Sequence, residues 1–257
     1  MKHFVVFITL GCIFSCGDTG RDAIEGAISL TRIEGGQIAI DSTLPASDSL
    51  VRFFRPYGQR IDAVLDSTLA YAPNPISKED GDYNTTAGNL LADIVLSEAN
   101  PIFRSRTGED IDFVMLNHGG IRSIVSRGTV TARTAYEVMP FENAIVVAKL
   151  SGKSVKELVE YLRDSGRAHP ISGLQVVLER DNAIRDIYIK GEHFDENRTY
   201  NVATSDYLLQ GGDDMVFFGD AEQSTEIDYK IRDAMIDYFR KTDTVAPVVD
   251  DRFYRMK

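Results

Sequence analysis

The stretch Asp112-Phe-Val-Met-Leu-Asn-His-Gly-Gly-Ile-Arg122 joins a short apolar run to a glycine-containing turn, and the fold prediction is built outward from it. The run is typical of a buried strand, and it stops at Asn117. Gly119 and Gly120 allow a tight turn in which backbone N–H groups can point at an anion. Arg122 carries a planar fork of donors that suits phosphate or carboxylate, and Asn117 can both donate and accept. The stretch therefore predicts an anion pocket at a strand end, with a glycine turn beside a surface arginine as the alternative.

Helical and strand patterns alternate on both sides of this stretch. Upstream, Ser47 is a suitable N-cap for an apolar stripe that recurs at helical spacing from Leu50 to Leu65, and we expect Pro56 to kink or split that helix. We expect the stripe to pack in the core and residues 69–82 to form a loop. Further helices are predicted at residues 86–99, 131–136, 155–163 and 226–240, and strands at residues 112–116, 144–150, 174–179, 184–189 and 200–204. Because this order lacks strict βαβ repetition, the sequence predicts an α+β protein, with a mixed β-sheet and packed helices.

The charge balance limits the partners that the chain can bind. Its 257 residues are enough for a sizeable core, and the 43% hydrophobic and 26% charged fractions are ordinary for a globular protein. The formal net charge is -11, from 28 basic and 39 acidic residues. Such a surface repels nucleic acid at long range, so no nucleic-acid partner is predicted. A small anion can bind only where arginines and backbone N–H groups are concentrated locally.

Residues 1–16 are predicted to be a lipoprotein signal peptide. Lys2 belongs to a short basic start, the apolar residues 4–14 are too few to span a bilayer as a helix, and a small residue precedes Cys16, as in a bacterial lipobox. Cleavage there would leave Cys16 as a lipid-modified N-terminus, which predicts anchoring to a membrane of the bacterial cell envelope, at its periplasmic face or the cell surface. Cleavage at Cys12, or a cytosolic protein with an apolar N-terminal strand, is the alternative. Both cysteines lie in this segment, so no disulfide framework is expected.

Two further parts complete the predicted domain organisation. Residues 17–47 are predicted to form a tether and a β-hairpin, with strands at residues 27–33 and 37–40 around a pair of glycines. Residues 48–257 are predicted to form the main domain.

Two more motifs have the chemistry of a binding site. The first, Tyr207-Leu-Leu-Gln-Gly-Gly-Asp213, again places a glycine pair, Gly211 and Gly212, after a predicted strand. An aromatic ring there can stack on a flat base, and the carboxylate can accept hydrogen bonds from vicinal hydroxyls. The second, Met139-Pro-Phe-Glu-Asn143, places Phe141 in a loop stiffened by proline, where its ring can serve as another stacking face. The alternatives are a hairpin turn with a solvated acidic tip and a phenylalanine that caps the core.

Together the three motifs resemble the C-terminal, substrate-binding domain of the 5'-nucleotidase family. The resemblance extends to Ala87-Gly-Asn-Leu-Leu-Ala-Asp93, which is similar to a helix start of the family, and to Ser172-Gly-Leu-Gln175, which is similar to its turn before a strand. It covers roughly residues 60–240, with the motifs in the same order. The resemblance implies a 5'-nucleotidase C-terminal domain-like fold and a nucleotide or nucleoside as the ligand.

The resemblance also implies roles for individual residues. Asn117 and Arg122 would contact the substrate, with the arginine at phosphate. Phe141 and Tyr207 would sandwich the base, and Asp213 would bind the ribose hydroxyls. The glycines of the two turns complete the expected binding site, for which no catalytic residue is predicted: Gly119, Gly120, Gly211 and Gly212.

Two departures from the family pattern bear on function. Residues 79–86 are acidic where the family places arginines, so a polyphosphate tail would be held less firmly. The metallophosphatase domain of the family has no counterpart in the sequence, because His118, His169 and His193 lie outside metal-binding contexts. No metal or other cofactor is therefore expected in this chain, and the divalent metals of a two-metal site are expected only on a partner metallophosphatase.

Three functions remain open on the sequence alone. The preferred one is a nucleotide-binding domain that works in nucleotide catabolism with a separate metallophosphatase subunit. The others are a non-catalytic, surface nucleotide-binding lipoprotein and a degenerate domain used for protein contact. Whether the chain takes part in catalysis thus depends on a partner.

Overall fold

Helices and strands follow one another in mixed order in the computed structural model, which describes Arg32, residues 34–41 and residues 43–257. The α-helices are α1 (Asp48–Leu65), α2 (Thr86–Thr107), α3 (Ala132–Val138), α4 (Gly152–Asp164), α5 (Asp206–Leu209) and α6 (Ile231–Lys241). The strands are β1 (Thr68–Ala72), β2 (Phe113–Met115), β3 (Gly128–Thr131), β4 (Ala144–Ser151), β5 (Ile171–Ser172), β6 (Leu174–Leu178), β7 (Ile184–Ile189), β8 (Glu192–His193), β9 (Thr199–Ser205), β10 (Gln223–Lys230) and β11 (Phe253–Arg255). Short 3-10 turns occupy His118–Gly120, Gly212–Asp214 and Val216–Asp220.

A five-stranded mixed sheet, in the order β10-β4-β9-β2-β5, organises the domain. β4 pairs antiparallel with β10 and β9, whereas β2 runs parallel to β9 and antiparallel to β5. Val114 of β2 belongs to the hydrophobic cluster that includes residues of α2, α3 and α6, while Phe113 and Met115 belong to the one that includes residues of α4 and β6. A strand buried on both faces needs apolar residues at successive positions, which explains the apolar run in β2. The predicted α+β fold with a mixed sheet and packed helices is confirmed.

A second, four-stranded sheet has the order β11-β6-β7-β8. β6 and β7 pair antiparallel with Leu174 opposite Ile189, which confirms the two strands predicted in this region. β11 comes from the C-terminal end of the chain and pairs parallel with β6.

Residues 69–82, predicted as a loop, contain most of a strand. β1 pairs antiparallel with β3, with Ala72 opposite Gly128. Ala70 and Ala72 are buried and Tyr71 between them is exposed. The loop prediction is therefore wrong for residues 69–72, because an alternation over three residues is too short to distinguish a strand from a loop by pattern.

The helix predicted at residues 226–240 is a strand followed by a helix. β10 continues to Lys230, which lies opposite Ala144 of β4, and α6 begins only at Ile231. Ile227 is buried between two exposed neighbours, which is the period of two expected for a strand. The strand pairing, which the sequence pattern does not reveal, shifts the helix start by five residues.

The helix predicted at residues 86–99 is longer in the structure. The hydroxyl of Thr85 caps α2 by accepting a hydrogen bond from the N–H of Gly88 at 3.1 Å. The helix continues past Pro101 and ends at Gly108, whose φ of 79° lies in the left-handed region that favours glycine. Ten residues of α2 are buried, which makes it a principal packing element of the sheet.

α1 behaves differently from α2. It continues through Pro56 without the predicted break, and none of its residues is buried. Six apolar side chains of the predicted stripe are between 55% and 64% exposed, so the predicted core packing is wrong for these described residues: Leu50, Phe53, Phe54, Tyr57, Ile61 and Val64. Leu65, at the C-terminal end of the helix, is partly buried and packs against the core. Arg133 of α3 contacts Asp62 of α1 at 2.7 Å and Asp66, the residue that follows α1, at 2.5 Å.

The N-terminal predictions are addressed only in part. Residues 37–40, predicted as the second hairpin strand, form no strand, and Ile38 and Ile40 are 82% and 91% exposed. An isolated two-stranded hairpin without a packed face is only marginally stable, which accounts for the difference. Most of the first hairpin strand, the predicted signal peptide and Cys16 lie outside the described residues. Among the helices of the described residues, none has the length and apolar character needed to cross a bilayer.

Candidate ligand-binding site

The sheet topology brings three loops to one edge of the five-stranded sheet. β2 and β9 are parallel, so the segments that follow these strands, residues 117–122 and 207–213, leave the sheet at the same edge. β4 is antiparallel to β9, with Ile145 opposite Ser205, so residues 139–143 enter β4 at that edge too. Three motifs that are far apart in the sequence are therefore neighbours in space.

A cavity of about 320 Å³ lies among these loops. Its lining consists of Asn117, Gly119, Gly120, Arg122, Phe141, Asn143, Tyr207 and Asp213. Seven of the nine predicted binding residues are in this set, whereas Gly211 and Gly212 are not. The motif analysis does not single out Asn143, although its position in the same loop as Phe141 is a signal that points to it.

The first glycine turn is shaped by the side chain of Asn117. The backbone N–H of Gly120 donates to the carbonyl of Asn117 at 3.1 Å, which closes the turn. A Cβ atom at position 120 would lie 2.9 Å from Oδ1 of Asn117, closer than real Cβ contacts allow. Gly120 therefore leaves room for the buried amide of Asn117 to lie against the turn.

The carboxylate of Asp213 is held in place from two sides. Its Oδ2 accepts a hydrogen bond from Nδ2 of Asn117 at 2.8 Å, and its Oδ1 accepts one from the Tyr207 hydroxyl at 3.0 Å. Asp213 has a φ of 53°, in the left-handed region that a non-glycine residue enters at an energetic cost. These contacts offset that cost and point the carboxylate into the cavity, where each oxygen retains a lone pair for a ligand hydroxyl.

The second glycine turn supports the ring of Tyr207. A Cβ atom at Gly212 would lie 2.4 Å from Cε1 of Tyr207, so the ring lies directly against this glycine. Gly211 has a φ of 86° and lets the chain reverse before the ring contact. The hydrogen bond to Asp213 raises the pKa of Tyr207, which keeps its hydroxyl protonated as a donor at neutral pH.

Phe141 and Arg122 also line the cavity. Phe141 is 41% exposed and Tyr207 is 45% exposed, so both aromatic side chains are accessible to a ligand. The guanidinium carbon of Arg122 lies 6.0 Å from the centre of the Phe141 ring, and its Nη1 donates to the Gly119 carbonyl at 3.3 Å. Arg122 is exposed, and its side chain makes only these loose contacts among the described residues, so its fork remains available to an anion.

His169 and Tyr161, which the motifs do not include, connect the two glycine turns. Nδ1 of buried His169 accepts a hydrogen bond from the N–H of His118 at 3.3 Å, which places the ring proton on Nε2. Burial, followed by the nearby His118, lowers the pKa of His169 to about 4, although Asp213 opposes the shift. The His169 ring lies 5.3 Å from that of Tyr161, whose hydroxyl donates to the backbone carbonyl of Asp213 at 2.9 Å. Only the folded structure reveals this link, because both residues lie outside the three motifs.

The acidic stretch of residues 79–82 lies beside the first glycine turn. Oε1 of Glu79 is 3.7 Å from Nε2 of His118, the residue that precedes Gly119. The negative charge of this exposed carboxylate disfavours the binding of an anion nearby. Within the described residues, no group of three or more histidine, cysteine, aspartate or glutamate side chains is placed to hold a metal ion.

Comparisons with known proteins identify the family to which the chain is similar. The family described as the 5'-nucleotidase C-terminal domain matches residues 58–220. The chain is 28% identical over 183 residues to the trifunctional nucleotide phosphoesterase protein YfkN of Bacillus subtilis, covering 65% of this chain and 12% of that protein. It is 29% identical over 192 residues to a cell wall protein of Listeria monocytogenes, covering 66% of this chain and 24% of that one.

A solved structure shares the fold. The 5'-nucleotidase precursor of Thermus thermophilus superimposes with a TM-score of 0.68 and 22% sequence identity, over 82% of this chain and 44% of that chain. The present chain thus spans less than half the length of each of these three proteins.

Proposed function

This chain belongs to the 5'-nucleotidase C-terminal domain family, and on that premise we propose that its cavity binds a nucleotide as part of nucleotide catabolism. One observation carries the proposal: two exposed aromatic rings, Phe141 and Tyr207, and the anchored carboxylate of Asp213 line the same cavity. A nucleotide has a flat base and vicinal ribose hydroxyls, which are the groups that such a set of side chains recognises.

The base and ribose are proposed to occupy the part of the cavity between the two rings. Stacking of a base on an aromatic side chain stabilises binding by roughly 1–3 kcal/mol and tolerates any base, because every base has a π-face. Asp213 then accepts hydrogen bonds from the ribose hydroxyls with the lone pairs that Asn117 and Tyr207 leave free.

The phosphate is proposed to lie at the first glycine turn. Arg122 offers its fork, and the turn at His118–Gly120 offers backbone N–H groups. Arg122 is the one cation among the lining residues, and Glu79 lies nearby through His118, so a single phosphate fits this part better than a longer tail.

A separate metallophosphatase subunit is proposed to supply the hydrolytic step. Hydrolysis by a two-metal site needs divalent cations that activate water and stabilise the leaving oxygen, and we propose that this partner holds them. The relative named as a nucleotide phosphoesterase is much longer than the part aligned with this chain, which supports a division of labour between domains. The apolar face of α1, uncovered within the described residues, supports contact with another protein.

The chain is also proposed to be exported and attached to a membrane through a lipid on Cys16. The apolar segment and the lipobox-like residues before Cys16 support this proposal. The similarity to a protein named as a cell wall protein supports an extracytoplasmic location.

Calorimetric titration of AMP into the full chain tests nucleotide binding. We expect one molecule of AMP to bind, and the affinity to fall when Phe141 is replaced by alanine. Tyr254→Ala is the matched control, because Tyr254 is an exposed aromatic residue that does not line the cavity. The absence of heat from millimolar AMP would remove the proposal and favour the second candidate, a domain that retains the fold for protein contact, which the acidic stretch at residues 79–82 supports.

Phosphate release tests the two-protein proposal separately. With a divalent metal, a candidate metallophosphatase subunit from the same genome should hydrolyse AMP faster when the full chain is added, and less so with Arg122→Ala. Binding of AMP without any such increase would instead indicate a non-catalytic nucleotide-binding lipoprotein.

A further inference from the structure

Arg232 is a buried arginine in a place that disfavours a cation. It is 3% exposed and lies one residue after the start of α6, where the positive end of the helix dipole opposes another positive charge. Burial of a charged group is also unfavourable unless partners compensate for it. The partners of Arg232 therefore indicate what this placement achieves.

All of these partners belong to α3 or to the loop that presents Phe141. Nη1 of Arg232 donates to the carbonyl of Pro140 at 3.3 Å and to that of Phe141 at 3.1 Å. Nη2 bonds the carboxylate of Glu142. The guanidinium also lies over the ring of Tyr136 on α3, with its carbon 4.2 Å from the ring centre.

The two carbonyls have a direct geometric consequence for Phe141. The carbonyl of Pro140 belongs to the peptide group that joins Pro140 to Phe141. The carbonyl of Phe141 belongs to the peptide group that joins Phe141 to Glu142. Since peptides are planar, fixing both planes fixes the backbone torsions of Phe141 and the direction of its Cα–Cβ bond. The N–H of Ile231 donates to the carbonyl of Asn143 at 3.1 Å, which attaches the far end of the same loop to α6.

We propose that Arg232 is a positioning residue that holds the Phe141 ring in place for stacking against the ligand. The planar fork reaches both carbonyls and the Glu142 carboxylate at once, which a lysine ammonium does not reproduce. The stacking role rests on the proposed function, whereas the restraint on the ring is a property of the chain itself.

Lys230 provides a matched control on the same helix start. Its ammonium bonds the Glu142 carboxylate, as Arg232 does, but no contact joins it to the carbonyls of Pro140 or Phe141 in the described structure. Lys230→Met therefore removes a cation from Glu142 and leaves the restraint on Phe141 intact.

The restraint can be measured without any ligand, because the chain contains no tryptophan. Phe141→Trp provides a single tryptophan at the ring position, which can be excited at wavelengths that the 11 tyrosines do not absorb. Adding Arg232→Met should lower its anisotropy and raise its acrylamide quenching constant roughly twofold, whereas adding Lys230→Met should change neither. Arg232→Lys, which keeps the charge, should behave like Arg232→Met, and it replaces that variant if the methionine form fails to fold.

A double-mutant cycle with AMP then tests the stacking role. Arg232→Met should weaken AMP binding roughly tenfold in the otherwise wild-type chain, and by less than about twofold when Phe141 is already alanine. Unchanged anisotropy and quenching at position 141, or an equal loss of affinity in both backgrounds, would overturn the inference. If the wild-type chain binds no AMP, the proposed function fails, while the fluorescence of position 141 still decides whether Arg232 restrains the ring.

Discussion

The two proposed ends of the cavity, the base and ribose end and the phosphate end, differ in how firmly their side chains are held. At the base and ribose end, Asp213 is held by Asn117 and Tyr207, and the Tyr207 ring lies directly against Gly212. At the phosphate end, the exposed side chain of Arg122 makes a single hydrogen bond within the described structure, at 3.3 Å. A preorganised group loses little entropy on binding, whereas a free arginine must be ordered first. We therefore expect most of the binding affinity to come from the base and the ribose, the uncharged part of the ligand.

The largest effect is expected in the free energy of unfolding, through His169. This buried histidine contacts the first glycine turn directly and is linked to the second through Tyr161. Its folded pKa of about 4 lies below the unfolded value of 6.5, so the unfolded chain binds the extra proton between these pH values. Stability from this group is complete above pH 6.5 and is lost as the pH falls towards 4, by at most about 3 kcal/mol. Chemical denaturation across this range should show the loss.

A variant pair isolates that contribution. His169→Asn should flatten the pH dependence between pH 6.5 and 5, where few carboxylates titrate. His193→Asn, at an exposed histidine, should leave it unchanged. Equal slopes in the wild type and in His169→Asn would show that His169 is not the source of the acid sensitivity.

The next effect is expected at the base end. Gly212→Ala places a Cβ atom 2.4 Å from the Tyr207 ring, which must move away from its stacking position. We expect adenosine binding to weaken by about 2 kcal/mol, on the order of 30-fold. Gly219→Ala is the control, because a Cβ atom there meets no atom within 4 Å. Calorimetry that finds equal affinities for the two variants would contradict the stacking role of Tyr207.

A smaller effect is expected at the ribose. Asp213→Asn keeps the size of the side chain but removes its charge and one acceptor. Adenosine binding should weaken by about 1.5 kcal/mol, roughly tenfold, since hydrogen bonds to a charged group are worth more than neutral ones. Adenine, which has no ribose, should bind the variant and the wild type alike. A matching loss for adenine would mean that Asp213 acts on the ring contact rather than on the hydroxyls.

The smallest effect is expected at the phosphate end. Arg122→Ala should weaken AMP binding by about 0.2–1 kcal/mol, because an exposed ion pair gains little in water. Adenosine binding should not change. Arg127→Ala, at an exposed arginine outside the cavity lining, is the control. A loss for AMP that exceeds the losses from Gly212→Ala would reverse the ranking of the two ends.

Most residues that line the cavity can be predicted from the sequence, because they belong to local motifs at the ends of strands. Asn117, Phe141 and Tyr207 lie beside apolar strands, and parallel or antiparallel pairing places such loops at one edge. His169 and Arg232, which support the cavity loops, cannot be predicted from the sequence, because they act through contacts with residues distant in the chain. A buried polar residue outside a motif carries no periodic signal.

The fold was predictable in class but not in every element. β1 and the end of β10 were assigned to a loop and a helix, since a strand of a few residues depends on its partner for recognition. The stripe of α1 was predicted to be buried because amphipathic spacing reports an apolar face and not what covers it. α2 carries a weaker amphipathic signal than α1 and yet packs on the sheet, so burial depends on tertiary context.

The most direct test of the central claim compares two fragments of AMP by calorimetry on the wild-type chain. Adenosine retains the base and ribose, and ribose 5-phosphate retains the ribose and phosphate. The account predicts that adenosine binds within roughly tenfold of AMP and that ribose 5-phosphate binds far more weakly, since stacking on two rings contributes roughly 1–3 kcal/mol per contact. Tight binding of ribose 5-phosphate together with no binding of adenosine would contradict it.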